Sequence, residues 1–195
     1  LKAYHSSSSY LKQAEKVYSD NKVVDEFLMG EIYYNMARTY YDIEELDLAL
    51  EYSYMAKNRF DQVYNDEDYA MNLFCLAEEF NKKGDLSNAL KYSKKTLEVY
   101  KKIQYNRSIV NIEHNLGKLF YELGNLDESI KHYETSKNVS TQSRLGCIND
   151  ILIDICKSYL KLKNTEQCSK ILREIENSIE EYDIDRKIEC KLIKY

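Results

Sequence analysis

An internal repeat constrains this chain more than any other feature. Small residues stand at Ala37, Ala77 and Gly117, spaced by 40, and again at Cys156 after 39. Twelve residues after each comes a second small residue: Ala49, Ala89, Ser129 and Cys168. Three residues after the first comes a ring: Tyr40, Phe80, Phe120 and Tyr159. Small residues at these points let two helices approach closely, while a large residue one turn away fills the neighbour's groove. A unit of this length cannot bury its apolar face alone, so stacked neighbours must supply the core. The expectation is an all-α stack of antiparallel helix pairs with a period of about 40.

The second helix of each pair repeats Tyr52, Ala56, Phe60 and then Tyr92, Thr96, Tyr100, in four-residue steps that keep one face. Gly84-Asp85 and Gly124-Asn125 supply a residue tolerant of left-handed geometry, followed by a helix N-cap. Asn125 with Glu128, and Asn164 with Gln167, have the spacing of capping boxes. The chain holds no proline and five glycines, too few for the turns of a β-rich fold.

Charge and cysteine usage narrow the setting. The net charge of −5 is interspersed, with no basic stripe, so direct nucleic-acid contact by this segment is not expected. Five cysteines (Cys75, Cys147, Cys156, Cys168, Cys190) lack CxxC spacing, and several take the place of small apolar residues. That favours reduced thiols and a cytoplasmic location over a disulfide framework. No apolar run approaches a membrane span and no secretory leader is visible, so no membrane partner is expected.

The repeats are placed at about 23–63, 64–103, 104–141 and 142–181 in a single domain covering 1–195, with partial repeats at 1–22 and 182–195. Tyr10, Ala14 and Tyr18 repeat the second-helix pattern, and Ile184 to Tyr195 reads as a further first helix. The expectation is a fragment of a longer superhelix.

These residues resemble the tetratricopeptide repeat family. Met36-Ala37, Tyr40, Ala49 and Ala56 match its small and aromatic positions, as do Leu116-Gly117, Phe120, Gly124 and Tyr133. The family's terminal proline is absent, the third copy has Glu113 at the bulky early position, and the period exceeds the usual length of about 34. The resemblance implies a right-handed superhelix. The longer period, with strings such as Ala89-Leu90-Lys91-Tyr92-Ser93-Lys94-Lys95, is similar to the C-terminal repeat domain of peptide-sensing bacterial regulators of the Rap, PlcR and NprR type. In those proteins the concave face captures a short signalling peptide in a quorum-sensing circuit.

In such a stack the first helices line the concave surface. The positions that follow are Tyr34, Arg38 and Tyr41, then Phe74, Glu78 and Asn81, then Asn111, His114, Lys118 and Tyr121, then Lys157. Aromatic rings, amides and both charges suit an extended peptide backbone. The lining lacks the cationic clamp with which chaperone-tail repeats hold a terminal carboxylate.

Signs of catalysis were not found. His5, His114 and His132 lie far apart without a partner at metal-ligand spacing, and no phosphate-binding glycine loop or Gly-x-Ser-x-Gly turn occurs. His132 aligns with Tyr52 and Tyr92 and reads as a packing residue. No cofactor or metal is expected. The function expected is the ligand-sensing domain of a helix-turn-helix transcriptional regulator, holding a peptide or protein on its concave face. The alternative is an adaptor that bridges proteins, with a homodimer through its convex face.

Overall fold

The computed structural model describes residues 9, 12–17, 25–63, 66–145 and 148–178. All regular structure among them is helical. The helices gather into two compact units that divide between Ile103 and Gln104. The first holds α1 (residues 12–17), α2 (Glu26–Asp42), α3 (Leu46–Val63), α4 (Asp66–Lys82) and α5 (Leu86–Lys102). The second holds α6 (Asn106–Glu122), α7 (Leu126–Gln142), α8 (Ile148–Lys161) and α9 (Thr165–Ser178). Tyr10, Tyr18, Cys147, Cys190 and the segment from Ile184 onward lie outside the described residues.

The turns form where the sequence places them. Gly84 and Gly124 adopt φ of +80° and +77°, the left-handed geometry that glycine takes without a Cβ penalty. Glu44, Gln104, Arg144 and Lys163 take the same geometry without that advantage, at roughly 1 kcal/mol each. Side-chain caps start four helices. Asp25, Asp85, Asn125 and Asn164 accept from the backbone N–H three residues on, at 3.1, 3.1, 3.5 and 3.1 Å. Each cap satisfies a donor that the first turn would otherwise leave open.

Packing follows the repeat. The paired small residues Ala37 and Ala49 are fully buried, and so is Ala89, with Ala77 at 3% exposure. Met36, Leu76 and Leu116 precede the first small residues and are fully buried, each removal from water being worth about 2 kcal/mol. The rings three residues on stack against the following helix. Tyr40 lies on Tyr52 at 5.3 Å, Phe80 on Tyr92 at 5.6 Å and Phe120 on His132 at 5.2 Å, all within 7° of parallel. His132 packs as its register suggests, and it also bonds Glu113 Oε2 through Nδ1 at 2.6 Å.

Gly117 shows why one copy has glycine where two others have alanine. A Cβ there would collide with the ring of Tyr133, which is 2% exposed. The corresponding second-helix residues are Ser53 and Ser93, so a larger partner and a smaller first residue go together.

One expectation is corrected. Cys156 and Cys168 are joined as a disulfide, with Cα atoms 4.8 Å apart. Spacing along the chain does not show this pairing. The repeat instead sets its two small positions face to face across a helix pair, within the range a disulfide spans. Cys75 is a free thiol.

Candidate functional site

Each unit presents a polar cluster on its first helices. In the first unit, α2 and α4 enclose a recess of about 90 Å³ lined by Arg38, Tyr41, Asp42, Cys75, Glu78 and Glu79. Tyr34 lies beside it. Its ring sits 5.9 Å from the Arg38 guanidinium and its hydroxyl donates toward Cys75 Sγ. Burial holds the Tyr34 proton on, and burial with the neighbouring Glu79 pushes the Cys75 thiol up to about 12. Cys75 is therefore a poor nucleophile at neutral pH. Tyr41 carries Lys82 over its ring at 4.7 Å.

Glu79 sits deepest, 1% exposed. Its Oε1 accepts from Ser53 Oγ at 2.7 Å, and Asn72 Nδ2 donates to the Ser53 carbonyl at 2.9 Å. Glu79 Oε2 and Asn72 Oδ1 are buried with no hydrogen-bond partner among the described residues. Burial raises the Glu79 carboxyl to about 7, the Ser53 bond only partly offsetting it. Glu78 is also raised by burial, against the pull of Arg38.

The second unit differs in chemistry. His114 Nε2 pairs with Asp154 Oδ2 at 2.8 Å, and Lys157 Nζ reaches Asp154 Oδ1 at 3.4 Å. Burial alone would raise the Asp154 carboxyl. The His114 bond, with Lys157 and Lys118, outweighs it and holds the group below its ordinary range. The His114 ring packs 5.4 Å from the Tyr133 ring. Lys161 lies over Tyr121 at 4.4 Å. Among the described residues no group of three or more His, Cys, Asp or Glu is arranged to hold a metal ion.

The candidates drawn from the sequence fall into these clusters unevenly. Arg38, Tyr41 and Glu78 line the recess and Tyr34 adjoins it, while half-buried Phe74 and exposed Asn81 are not part of its wall. His114, Lys118 and Lys157 converge on Asp154, with Tyr121 under Lys161 and Asn111 exposed. The sequence reading found no partner for the histidines, whereas the fold gives His114 an aspartate 40 residues away and His132 a glutamate. It also missed Glu79. The signal was present, since the positions matching Glu79 in other copies (Thr39, Leu119 and Ser158) are all buried. A carboxyl in a buried register is the anomaly to look for.

Comparison with known proteins bears on the fold. No protein-family model matches the chain. A curated relative, response regulator aspartate phosphatase A of Bacillus subtilis, is 25% identical over 182 residues, covering 89% of this chain. The chain spans 46% of that relative's length. Aspartyl phosphate phosphatase F of Bacillus subtilis superposes with a TM-score of 0.82 over 95% of this chain and 49% of its own, at 14% identity. The Rap conjugation gene regulator of plasmid pLS20, in complex with the Phr* peptide, gives 0.68 over 98% and 53%, at 16% identity. A signal transduction ATPase with numerous domains from Pyrococcus horikoshii, which carries a tetratricopeptide repeat sensor, gives 0.74 over 94% and 28%, at 20% identity. The chain therefore has an all-α tetratricopeptide-type fold that resembles the helical repeats of Rap proteins.

Proposed function

We propose that this chain is a peptide-sensing repeat module, without catalysis of its own, whose first unit receives a basic group of the ligand. The recess of α2 and α4 carries this reading. It combines two acidic side chains in its lining, a buried carboxyl with an unpartnered oxygen, and flanking tyrosines. Such a wall suits a guanidinium or ammonium group, which needs several oxygen acceptors, next to a backbone that aromatic side chains hold. Support comes from the Rap relative solved with a peptide and from the raised Cys75 thiol, which disfavours covalent chemistry at this site. The cluster around Asp154, in the second unit, is a separate candidate patch for a ligand.

The output belongs to the proposal as well. The chain is read as the ligand-sensing part of a cytoplasmic bacterial regulator, in which peptide binding shifts the balance between two arrangements of the repeats. Upstream coding sequence that specifies neither a helix-turn-helix nor a helical effector bundle would remove the regulator reading. Calorimetry with short peptides tests the site itself. A peptide with one arginine should bind the wild-type chain, and changing Asp42→Asn together with Glu78→Gln should weaken it about tenfold, or 1.4 kcal/mol. Equal affinity for both proteins would sink the recess assignment. Alanine at Asn111, His114 and Lys118 together should weaken peptide binding at the second unit's own patch, and undiminished binding would remove that patch.

A further inference from the structure

We infer that Glu79 makes this recess a proton-exchanging subsite, in which docking of one basic side chain expels a proton from the Glu79 carboxyl into solvent. The inference rests on the peptide-binding reading for its natural ligand, and on the geometry of the recess for its chemistry.

Glu79 lacks a cationic partner among the described residues. It is 1% exposed, accepts one bond from a neutral hydroxyl, and leaves Oε2 without a hydrogen-bond partner among the described residues while lining an open recess. A buried carboxylate needs a cation or several donors to stay ionised. Arg38 does not meet that need. It is exposed, lies over the Tyr34 ring, and acts on Glu78.

The surroundings can be named helix by helix. From α2 the titratable groups around the recess are Tyr34, Arg38, Tyr41 and Asp42. From α3 Tyr54 feels the Glu79 charge, with Tyr92 and Lys91 of α5 behind it. On α4 itself stand Cys75, Glu78 and Lys82, the last drawn over Tyr41 toward Glu44. With Glu79 protonated, the lining carries Arg38 against Asp42 and Glu78, a net charge of 1 − 2 = −1. An incoming cation is already attracted at that stage. Its arrival supplies the missing counter-charge, the Oε2 or Oε1 proton leaves to water, and a charge-assisted ion pair replaces a neutral acid.

Two consequences distinguish this from an ordinary acidic patch. Affinity for a basic ligand should fall about tenfold per pH unit below the Glu79 midpoint and level off above it, because one proton must leave. A neutral isostere of the basic residue should show no such dependence.

The test uses the full chain and two probes. Calorimetry with an arginine-containing pentapeptide, in phosphate and in Tris, reads the protons exchanged. Close to one should be released at about pH 6 and close to none at about pH 8.5. The citrulline counterpart should release none at either pH. Glu79→Gln should abolish the release, while Glu78→Gln should weaken the arginine peptide at every pH and keep the release. Arginine binding without proton release at about pH 6, or release that persists in a folded Glu79→Gln chain, overturns the inference.

The second probe is methylguanidinium, followed by carboxyl-carbon NMR of Glu79. It should move the Glu79 midpoint down by about one pH unit or more. If neither pentapeptide binds but methylguanidinium moves the midpoint, the peptide reading falls and the subsite stands. A midpoint that methylguanidinium leaves unmoved overturns the subsite.

Discussion

Set side by side, the helix pairs α4–α5 and α6–α7 solve one packing problem with different chemistry. In α4–α5 the fully buried Leu73 leads a helix whose Phe80 stacks on Tyr92. In α6–α7 the matching residues are Glu113 at 2% exposure and Phe120 stacked on His132, and Glu113 bonds the imidazole. The ring stack keeps its spacing while an apolar contact becomes an acid–imidazole pair. The backbone register tolerates either solution. What changes is the penalty for altering one side alone, because a buried carboxyl that loses a hydrogen bond costs more than a buried leucine that loses a neighbour.

Three changes sharpen or break that contrast. The largest effect is expected from His132→Tyr, which restores the repeat's own ring but deprives Glu113 of its imidazole. We expect a loss of about 4 kcal/mol in urea denaturation, most of it regained by adding Glu113→Leu, since a packed apolar pair can replace a buried hydrogen-bonded pair at little cost. A single variant as stable as wild type would show that the pair contributes nothing.

The second change concerns pH, where the two units should respond in opposite senses. Glu79 has a folded midpoint of about 7 against an ordinary 4.5. Below the lower value both states hold the proton. As pH rises between the two, the unfolded chain releases it first and stability falls, by about 3 kcal/mol above the upper value. Glu79→Gln should flatten that decline. Asp154 is held below its ordinary range, so its contribution is present above that range and is lost as pH falls through the folded midpoint. His114→Ala should shrink the acid-side loss. Stability profiles that leave these slopes unchanged would refute the assignments.

The smallest expected effect is steric. Gly117→Ala drives a methyl into the buried Tyr133 ring and should cost about 2 kcal/mol. Adding Tyr133→Ser recreates the alanine–serine pairing found at Ala37 with Ser53 and Ala77 with Ser93, and should relieve the clash. A double variant no better than the single one would mean that Tyr133 is held by other contacts.

The sequence revealed the frame more readily than the chemistry. Small residues at fixed spacing, two turn glycines and asparagine caps act within one or two turns of chain, so their pattern is readable locally. The recess and the Asp154 cluster depend on residues a whole repeat apart. Counting along one helix face identified Arg38, Tyr41, Glu78 and His114, but not how deep each would lie. Glu79 escaped because its register is a core position, and its partner Ser53 stands on the preceding helix. Asp154 escaped because a carboxylate on an exposed-looking face gives no sign of the histidine that will reach it. The cysteine pair was missed for the same reason in reverse. Both residues were seen as small, and their facing one another was not drawn from that.

That disulfide ties α8 to α9 across 12 residues of chain. Its two cysteines sit where two other pairs place two alanines. The difference falls on the unfolded chain, which the bond deprives of extended conformations. The bond thereby adds to how long α9 stays docked on α8, acting through the unfolded chain and not through any new contact.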